Sequence, residues 1–513
     1  MKRLVVGPPG TGKTWWISNK IKELVEEKGI DPRRILVASL TKAAAKEATG
    51  RHGLIPSDNI GTIHSFCYHA LKRPEIAESY KWIKEWNAYV KEFNPEWKLS
   101  PSSINGFVDV GVTSKGDELL NRINIRRAKH QDPAKTEDIE EKRFYEEWIA
   151  FKEEYNLLDF TDLIETAIKE VVYPPNQATI IFVDEAQDIS RLEYKLLLSW
   201  AVWGSDIYFV GDKLQSLFTW RGAVPDAVEW SKYSTYKLLD KSYRLPDKIK
   251  KYSLNFINKY FDEILEYMGS GKEGNVYKIN VTYNYLEPIY DILMKLIKSN
   301  ETIMLLAPCS YMVNEIATWL KSKNILYHNP YTHRWNSLSQ KSLAFHLNFL
   351  MPKYLKKDFS LSNIKYIFAG LRNCLKRGVK KEVKELEQIE DLKEFIKKSF
   401  KRKEDYKAFM KLDEEWFIEH GGNKDALEIV KKAFTERISL TPKVIIGTIH
   451  SVKGGEADNV FLFPDLSMAG FMQTMQEGFY GIQAVAMMFY VGMTRAKKRL
   501  FLCQPSSGKY FSL

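Results

Sequence analysis

One stretch constrains the fold more than any other: Gly7-Pro8-Pro9-Gly10-Thr11-Gly12-Lys13-Thr14. Before it runs Leu4-Val5-Val6, short and apolar as a buried strand is. After it, Trp16, Ile17, Ile21, Leu24 and Val25 recur at helical spacing. Strand, glycine-rich loop and helix in that order make a phosphate cradle. The glycines let backbone N–H groups turn inward toward phosphate oxygens, and the helix dipole adds partial positive charge. Gly7, Pro8, Gly10, Thr11 and Gly12 line the expected cradle, Lys13 is placed to reach the outer phosphates, and the Thr14 hydroxyl to ligate Mg²⁺. A chance Gly/Pro turn before a helix would not match all of these positions. The sequence predicts a nucleoside triphosphate site.

A second signal sits at the end of another buried strand. Thr179-Ile180-Ile181-Phe182-Val183 is a run of β-formers of the kind covered on both faces, and Asp184-Glu185-Ala186-Gln187-Asp188 follows directly. A carboxylate at the carboxyl end of a parallel strand can hold Mg²⁺ through water, which gives Asp184 that role. The adjacent Glu185 can orient an attacking water or take its proton. The competing reading is an acidic loop that caps the next helix through Asp188 or Ser190. Behind a phosphate loop, hydrolysis is the stronger reading.

The rest of the chain alternates. Arg34 to Ser39, Asn59 to Ile63 and Ile207 to Val210 read as strands, and Lys42 to Thr49 and His64 to Leu71 as helices. From about Arg73 to Lys169 the pattern is helical, charged and rich in Trp and Tyr. Strands return at Thr302 to Ala307, Lys443 to Thr448, Val460 to Phe463 and Arg499 to Cys503. Between them, about Pro330 to Ile438 is again helical and charged. Alternating strands and helices predict parallel sheets, and 513 residues exceed what one core holds. Two α/β cores, each interrupted by a helical insertion, is the expected architecture.

Composition narrows the partners. A net charge of +11 with 13% aromatic residues suits single-stranded nucleic acid, held by phosphate contacts and base stacking, and equally a basic enzyme with ordinary cores. The basic runs Arg122, Arg126, Arg127, Lys129 and Lys397, Lys398, Lys401, Arg402, Lys403 read as solvated helix faces. Cys67, Cys309, Cys374 and Cys503 lie far apart and offer no zinc or disulfide framework. No run of 18 apolar residues argues for a membrane span. Met1-Lys2-Arg3-Leu4 enters a strand at once, so no signal peptide is expected. A cytoplasmic protein follows, nucleoid-associated or virus-encoded rather than secreted.

Asp184-Glu185-Ala186-Gln187-Asp188 resembles the Walker B motif of superfamily 1 helicases, in the UvrD/Rep/PcrA branch. The resemblance continues in order along the chain. Ala38 to Ala44 resembles motif Ia, with Ser39 where the family often has an aromatic. Gly61 to Cys67 is similar to motif Ib, and Leu158 to Leu163 to the segment ahead of Walker B. Val210 to Ala223 resembles motif III, ending Trp220-Arg221-Gly222-Ala223. Leu239 to Arg244 resembles the Asn-Tyr-Arg motif, with Ser242 for Asn. Thr448 to Glu456 and Tyr490 to Ala496 are similar to motifs V and VI, the latter with Ala486 to Phe489 in place of a charged lead-in.

The resemblance implies two RecA-like parallel-sheet P-loop domains, each with a mainly helical insertion. Residues 1–72 and 170–246 would form the first, and 247–329 with 439–513 the second. The insertions would be 73–169 and 330–438. It implies ATP and Mg²⁺ as cofactors, with Gln215 sensing the γ-phosphate and Arg244 and Arg495 as arginine fingers from the two cores. Tyr243 would stack on adenine and Glu456 would contact the ribose. For DNA it implies His64, Phe218 and Trp220, with Lys42, Arg221, His450 and Lys453 as phosphate or strand contacts; Lys453 has the ATP cleft as its other reading. The family's glutamine-bearing motif upstream of the phosphate loop is expected to be absent.

The implied function is an ATP-dependent helicase moving 3′→5′ on single-stranded DNA, acting at single/double-strand junctions. Its expected partners are replication or repair proteins, with no membrane, and it is expected to be a monomer. The alternatives are an ATPase that translocates and strips proteins without unwinding, and an ATP-gated loader within a complex. With its end just after motif VI, the chain is not expected to carry a fused nuclease.

Overall fold

The computed structural model describes residues 1–39, 54–100, 114–218, 223, 228, 235–262, 266–332, 334–476 and 478–513. Lys42, Trp220 and Arg221, with the expected helix at Lys42 to Thr49, lie outside the described residues.

Strands β1 (Lys2–Val6), β2 (Ile35–Ala38), β3 (Ile60–Gly61), β4 (Ile180–Asp184), β5 (Asp206–Gly211) and β6 (Thr235–Leu238) form one parallel sheet. Its order is β3-β2-β4-β5-β1-β6. Strands β7 (Asn275–Lys278), β8 (Ile303–Ala307), β9 (Tyr327–His328), β10 (Val444–Thr448), β11 (Ala457–Leu462) and β12 (Ala496–Leu502) form the second, ordered β7-β12-β11-β8-β10-β9 and also parallel. The expected α/β class with two parallel sheets is what the chain adopts.

Side chains alternate across a strand, so each sheet needs a cover on both faces. In the first sheet Leu4, Val6, Leu36, Ile181, Val183 and Phe209 pack against helices α2 (Ile63–Ala70), α6 (Phe160–Glu170) and α7 (Arg191–Val202). Val5, Ile35, Val37, Phe182 and Val210 face α1 (Lys13–Lys22) through Ile17 and Ile21. In the second sheet Ile303, Leu305, Ile446 and Phe461 pack with α9 (Tyr290–Lys298) and α10 (Ser310–Ser322). Met304, Leu306, Val460 and Leu502 face α8 (Asp247–Ile257) and α19 (Gly478–Met493).

The helical stretches have cores of their own. Between β3 and β4, α3 (Tyr80–Tyr89), α4 (Lys115–Ala128) and α5 (Ile139–Glu154) close on Trp86, Phe144, Trp148 and Phe151. The Trp86 and Trp148 rings meet edge to face with centroids 4.9 Å apart, a geometry the ring quadrupoles favour. Between β9 and β10, seven helices among the described residues run from α11 (Gln340–Leu355) to α17 (Lys424–Glu436). They gather around Phe349, Phe368, Phe409 and Phe417. The last helix before α19 is α18 (Met468–Gln476).

One basic run departs from the solvated-face reading. Arg122 pairs with Asp138 at 3.0 Å and Arg126 with Glu141 at 2.5 Å, but Arg127 is buried. Its guanidinium meets Asp159 at 2.8 Å, Asp162 at 2.5 Å and Glu165 at 2.8 Å. Asp159, fully buried, also takes Lys152 at 2.6 Å and the Trp148 indole N–H at 3.1 Å, and it caps α6. Helix α6, which packs on the first sheet through Leu163, Ile164 and Ala167, is therefore pinned to α4 and α5 by a buried ion cluster. Arg127→Ala leaves Lys152, among the described residues, as the one cation against Asp159 and Asp162 in this buried cluster and is expected to cost about 3–5 kcal/mol, read by denaturant unfolding. A loss under about 1 kcal/mol, as for an exposed pair, would make the cluster incidental.

Candidate nucleotide site between the two cores

In the first sheet β4, β5 and β1 are neighbours, so the loops leaving their carboxyl ends converge. The loop after β1 is the glycine-rich one. Gly10 and Gly12 hold φ of +73° and +81°, left-handed values that L side chains resist. Gly10 is also close-packed: a Cβ there would stand 2.5 Å from the Arg244 Cβ. The Thr11 hydroxyl donates to the Pro8 carbonyl at 2.8 Å, and Lys13 Nζ donates to the Gly7 carbonyl at 2.9 Å. Gly7 to Thr14 thus form one curled cradle whose lysine lies across it.

Thr14 opens onto the loop after β4. Its hydroxyl donates to Asp184 Oδ2 at 3.4 Å. Among the described residues no cluster of three or more His, Cys, Asp and Glu could cage a metal. One hydroxyl and one carboxylate fit Mg²⁺, which keeps waters and phosphate oxygens as its other ligands. Burial, then the neighbouring Glu185, raises the Asp184 pKa; Glu185, despite its own burial, is held ionised by the charges of Lys13 and Lys453. Glu185 sits in the left-handed region at φ 53° and ψ 45°, a strained placement for a residue with a Cβ. Helix capping, the competing reading, falls to Ser190, which closes a capping box with Glu193. Asp184 and Glu185 are left for other work.

A chain of hydrogen bonds runs from Glu185 to the second core. Gln187 Nε2 donates to Glu185 Oε2 at 2.6 Å, and the Asp212 N–H donates to Gln187 Oε1 at 3.0 Å. Gln215 Nε2 donates to Asp212 Oδ2 at 2.7 Å, and Arg495 Nη2 donates to Gln215 Oε1 at 3.3 Å. Arg495 follows α19 and is buried, its Nε on the Val491 carbonyl at 2.9 Å. Burial, then the like charge of Arg244, lowers its pKa to about 9, so it stays protonated at neutral pH.

Arg244 crosses in the other direction. Its Nε donates to Glu456 Oε2 at 2.8 Å, which, against the effect of burial, holds the Glu456 carboxyl below its usual range. Ser242, which stands where the resembled motif has Asn, is fully buried. Its hydroxyl donates to the Pro9 carbonyl at 2.8 Å and accepts from the Leu245 N–H at 3.1 Å. The adjacent Tyr243 N–H donates to the Gly10 carbonyl at 2.8 Å, while its ring is 62% exposed beside the cradle. On the first turn of α1, Trp15 is 57% exposed directly after Thr14. Trp16 packs against Phe182 and Tyr208, which leaves the neighbouring Trp15 at the surface.

The DNA assignments fare differently. His64, in the first turn of α2, places Nδ1 3.6 Å from Glu193 and its ring edge-on to Phe160. Phe218 is 5% exposed and packs into the second core's cluster with Leu217 and Ile449, which corrects the expectation of an open stacking ring. His450 stands beside it with centroids 6.3 Å apart. Burial pushes that imidazole's pKa down to about 4, which favours its neutral form. The Lys453 ammonium pairs with the Asp188 carboxylate and donates to the Gln215 carbonyl at 3.0 Å. Lys453 thus ties the second core to the loops after β4 and β5 of the first.

Family models match both halves of the chain. The family model described as UvrD/REP helicase N-terminal domain matches residues 1–233, and UvrD-like helicase C-terminal domain matches residues 299–507. A probable DNA helicase II homolog of Mycoplasma genitalium is 29% identical over 251 residues, 43% of this chain and 35% of that protein. A further probable homolog, from Mycoplasma capricolum, is 26% identical over 304 residues, 53% of this chain and 41% of that one. The ATP-dependent DNA helicase PcrA of Staphylococcus aureus is 26% identical over 238 residues, 43% and 32% of the two. The matched stretch thus spans between about a third and two fifths of these relatives' length.

Proposed function

The chain belongs to the UvrD/REP helicase family, and from that premise we propose that it is an ATP-dependent DNA helicase moving 3′→5′ on single strands. The observation that carries the reading is the hydrogen-bonded run from Glu185 through Gln187, Asp212 and Gln215 to Arg495. It joins a water-activating carboxylate on one core to a buried arginine on the other.

ATP seats its phosphates in the Gly7–Thr14 cradle, with Lys13 on the outer phosphates and the adenine against Tyr243. Thr14 and Asp184 would hold Mg²⁺, which would supply charge to offset the phosphates. Glu185 orients the attacking water and accepts its proton. Arg244 and Arg495 face the phosphate that leaves, so hydrolysis requires both cores to be closed. Loss of that phosphate removes what Gln215 and the arginines grip, and the cores part. Single-stranded DNA, gripped alternately by the cores, moves one way; His64, Lys42, Trp220 and Arg221 are the proposed contacts.

Two measurements test this. ATP turnover should rise on addition of single-stranded DNA, and strand displacement should require a 3′ tail rather than a 5′ tail. Stimulated turnover without displacement of either duplex would leave a translocase that does not unwind. Binding without turnover would leave a loader. Among the described residues no helix is long and apolar enough to cross a membrane. If basic side chains neutralise the strand, log affinity should fall linearly with log salt, with a slope of about −0.7 per phosphate contacted. Affinity that barely responds to salt would remove the electrostatic track.

A further inference from the structure

The turn that carries Gly455 and Glu456 is held from outside by a residue that no motif includes. Tyr331 lies on the segment between β9 and α11. Its ring rests on the backbone of Gly455: a Cβ built there would stand 2.5 Å from the ring carbon and hydroxyl oxygen of Tyr331. Only a residue without a side chain leaves the ring that seat.

The same peptide that Tyr331 covers holds the buried arginine. Arg495 Nη1 donates to the Gly455 carbonyl at 3.3 Å, and the Ala457 N–H donates to the Arg495 carbonyl at 3.1 Å. Glu456, next along, carries the Arg244 guanidinium. Tyr331 is itself anchored. Its N–H donates to Asn329 Oδ1 at 3.0 Å, and the buried Asn329 amide donates to the Ile446 carbonyl at 2.9 Å and to Ser451 Oγ at 3.1 Å. The ring, the Gly455 peptide and Arg495 form a stack in which each member fixes the next.

We propose that Tyr331 is a positioning residue for hydrolysis: by seating on Gly455, whose carbonyl holds the guanidinium, it fixes where Arg495 stands in the cleft. The proposal rests on the ATPase reading above. A misplacement of about 1 Å at a group that acts in the transition state can cost about 10²-fold, whereas ground-state binding in the Gly7–Thr14 cradle does not involve Tyr331. Its loss therefore acts on kcat and not on KM.

The test compares Tyr331→Ala, Tyr331→Phe and Gly455→Ala with the parent chain, in DNA-stimulated ATP turnover and thermal melting. Tyr331→Ala should lower kcat about tenfold or more, with KM for ATP within about twofold and an unchanged melting temperature. Tyr331→Phe keeps the ring on Gly455 and should restore most of kcat. Gly455→Ala, whose Cβ evicts the ring, should follow Tyr331→Ala. In an Arg495→Ala background, Tyr331→Ala should have no further effect on the residual rate. Unchanged kcat in Tyr331→Ala, a parallel rise in KM, or full additivity with Arg495→Ala would overturn the proposal. An inactive parent chain would instead overturn the ATPase reading, so the two failures are distinguishable.

Discussion

Glu185→Gln is expected to leave ATP binding intact while turnover falls by about 10²–10⁴-fold, the usual worth of a positioned general base. The geometry makes this exchange unusually clean. The substituted amide would keep the length of the side chain, and its carbonyl could still accept from Gln187 Nε2, now at 2.6 Å from Glu185 Oε2. What the amide lacks is the ability to take a proton. Lys13→Ala removes something different. Lys13 lies over the cradle with Nζ on the Gly7 carbonyl at 2.9 Å, so its loss strips positive charge from where the outer phosphates sit. Affinity and turnover should both drop. Titration with a fluorescent ATP analogue beside a steady-state rate separates the two variants. If both lose affinity equally, the division of labour between the cradle and the β4 loop is wrong.

What the sequence made legible follows from which contacts are local. The central strands β4, β5, β8, β10 and β11 are apolar on both faces, and unbroken apolar runs betray them. The strands it missed, β6, β7 and β9, pair on one side only. Tyr236 in β6 and Tyr277 in β7 are exposed, so no continuous run marks them. The phosphate loop is legible because its chemistry is contained in eight successive residues. Ser242 is not, since its partner Pro9 is 233 positions away. The same holds for Asp188, which meets Lys453 only when the cores come together.

Phe218, His450 and Lys453 show the other limit. A motif resemblance fixes where a residue falls in the chain, but not which way its side chain turns. The loop after β5 docks on the second core, so Leu214, Leu217 and Phe218 join a cluster with Ile449 and Val452. Apolar burial of that size outweighs what an exposed ring gains. The sequence read the loop as a bridge between nucleotide and strand. The loop's described part, as far as Phe218, packs on the second core, with Lys453 Nζ 5.4 Å from the Phe218 ring centroid.

Arg495→Ala should lower DNA-stimulated turnover by about 10³–10⁵-fold, the range for a finger that neutralises charge on a departing phosphoryl group. Nucleotide affinity should change far less, because the cradle belongs to the other core. Arg495→Lys is the sharper variant. The guanidinium reaches three acceptors at once: the Val491 carbonyl at 2.9 Å, the Gly455 carbonyl at 3.3 Å and Gln215 Oε1 at 3.3 Å. A lysine has the charge but not the planar fork, so it cannot keep that orientation. It should remain within about tenfold of the alanine variant, although it restores the positive charge. The competing account makes Arg495 a structural tie within the second core. That account predicts a lower melting temperature and equal loss of basal and DNA-stimulated rates. Melting curves measured beside both rates decide between them. A lysine variant with near-normal stimulated turnover would show that charge alone suffices and that the fork to Gln215 has no part in closing the cleft.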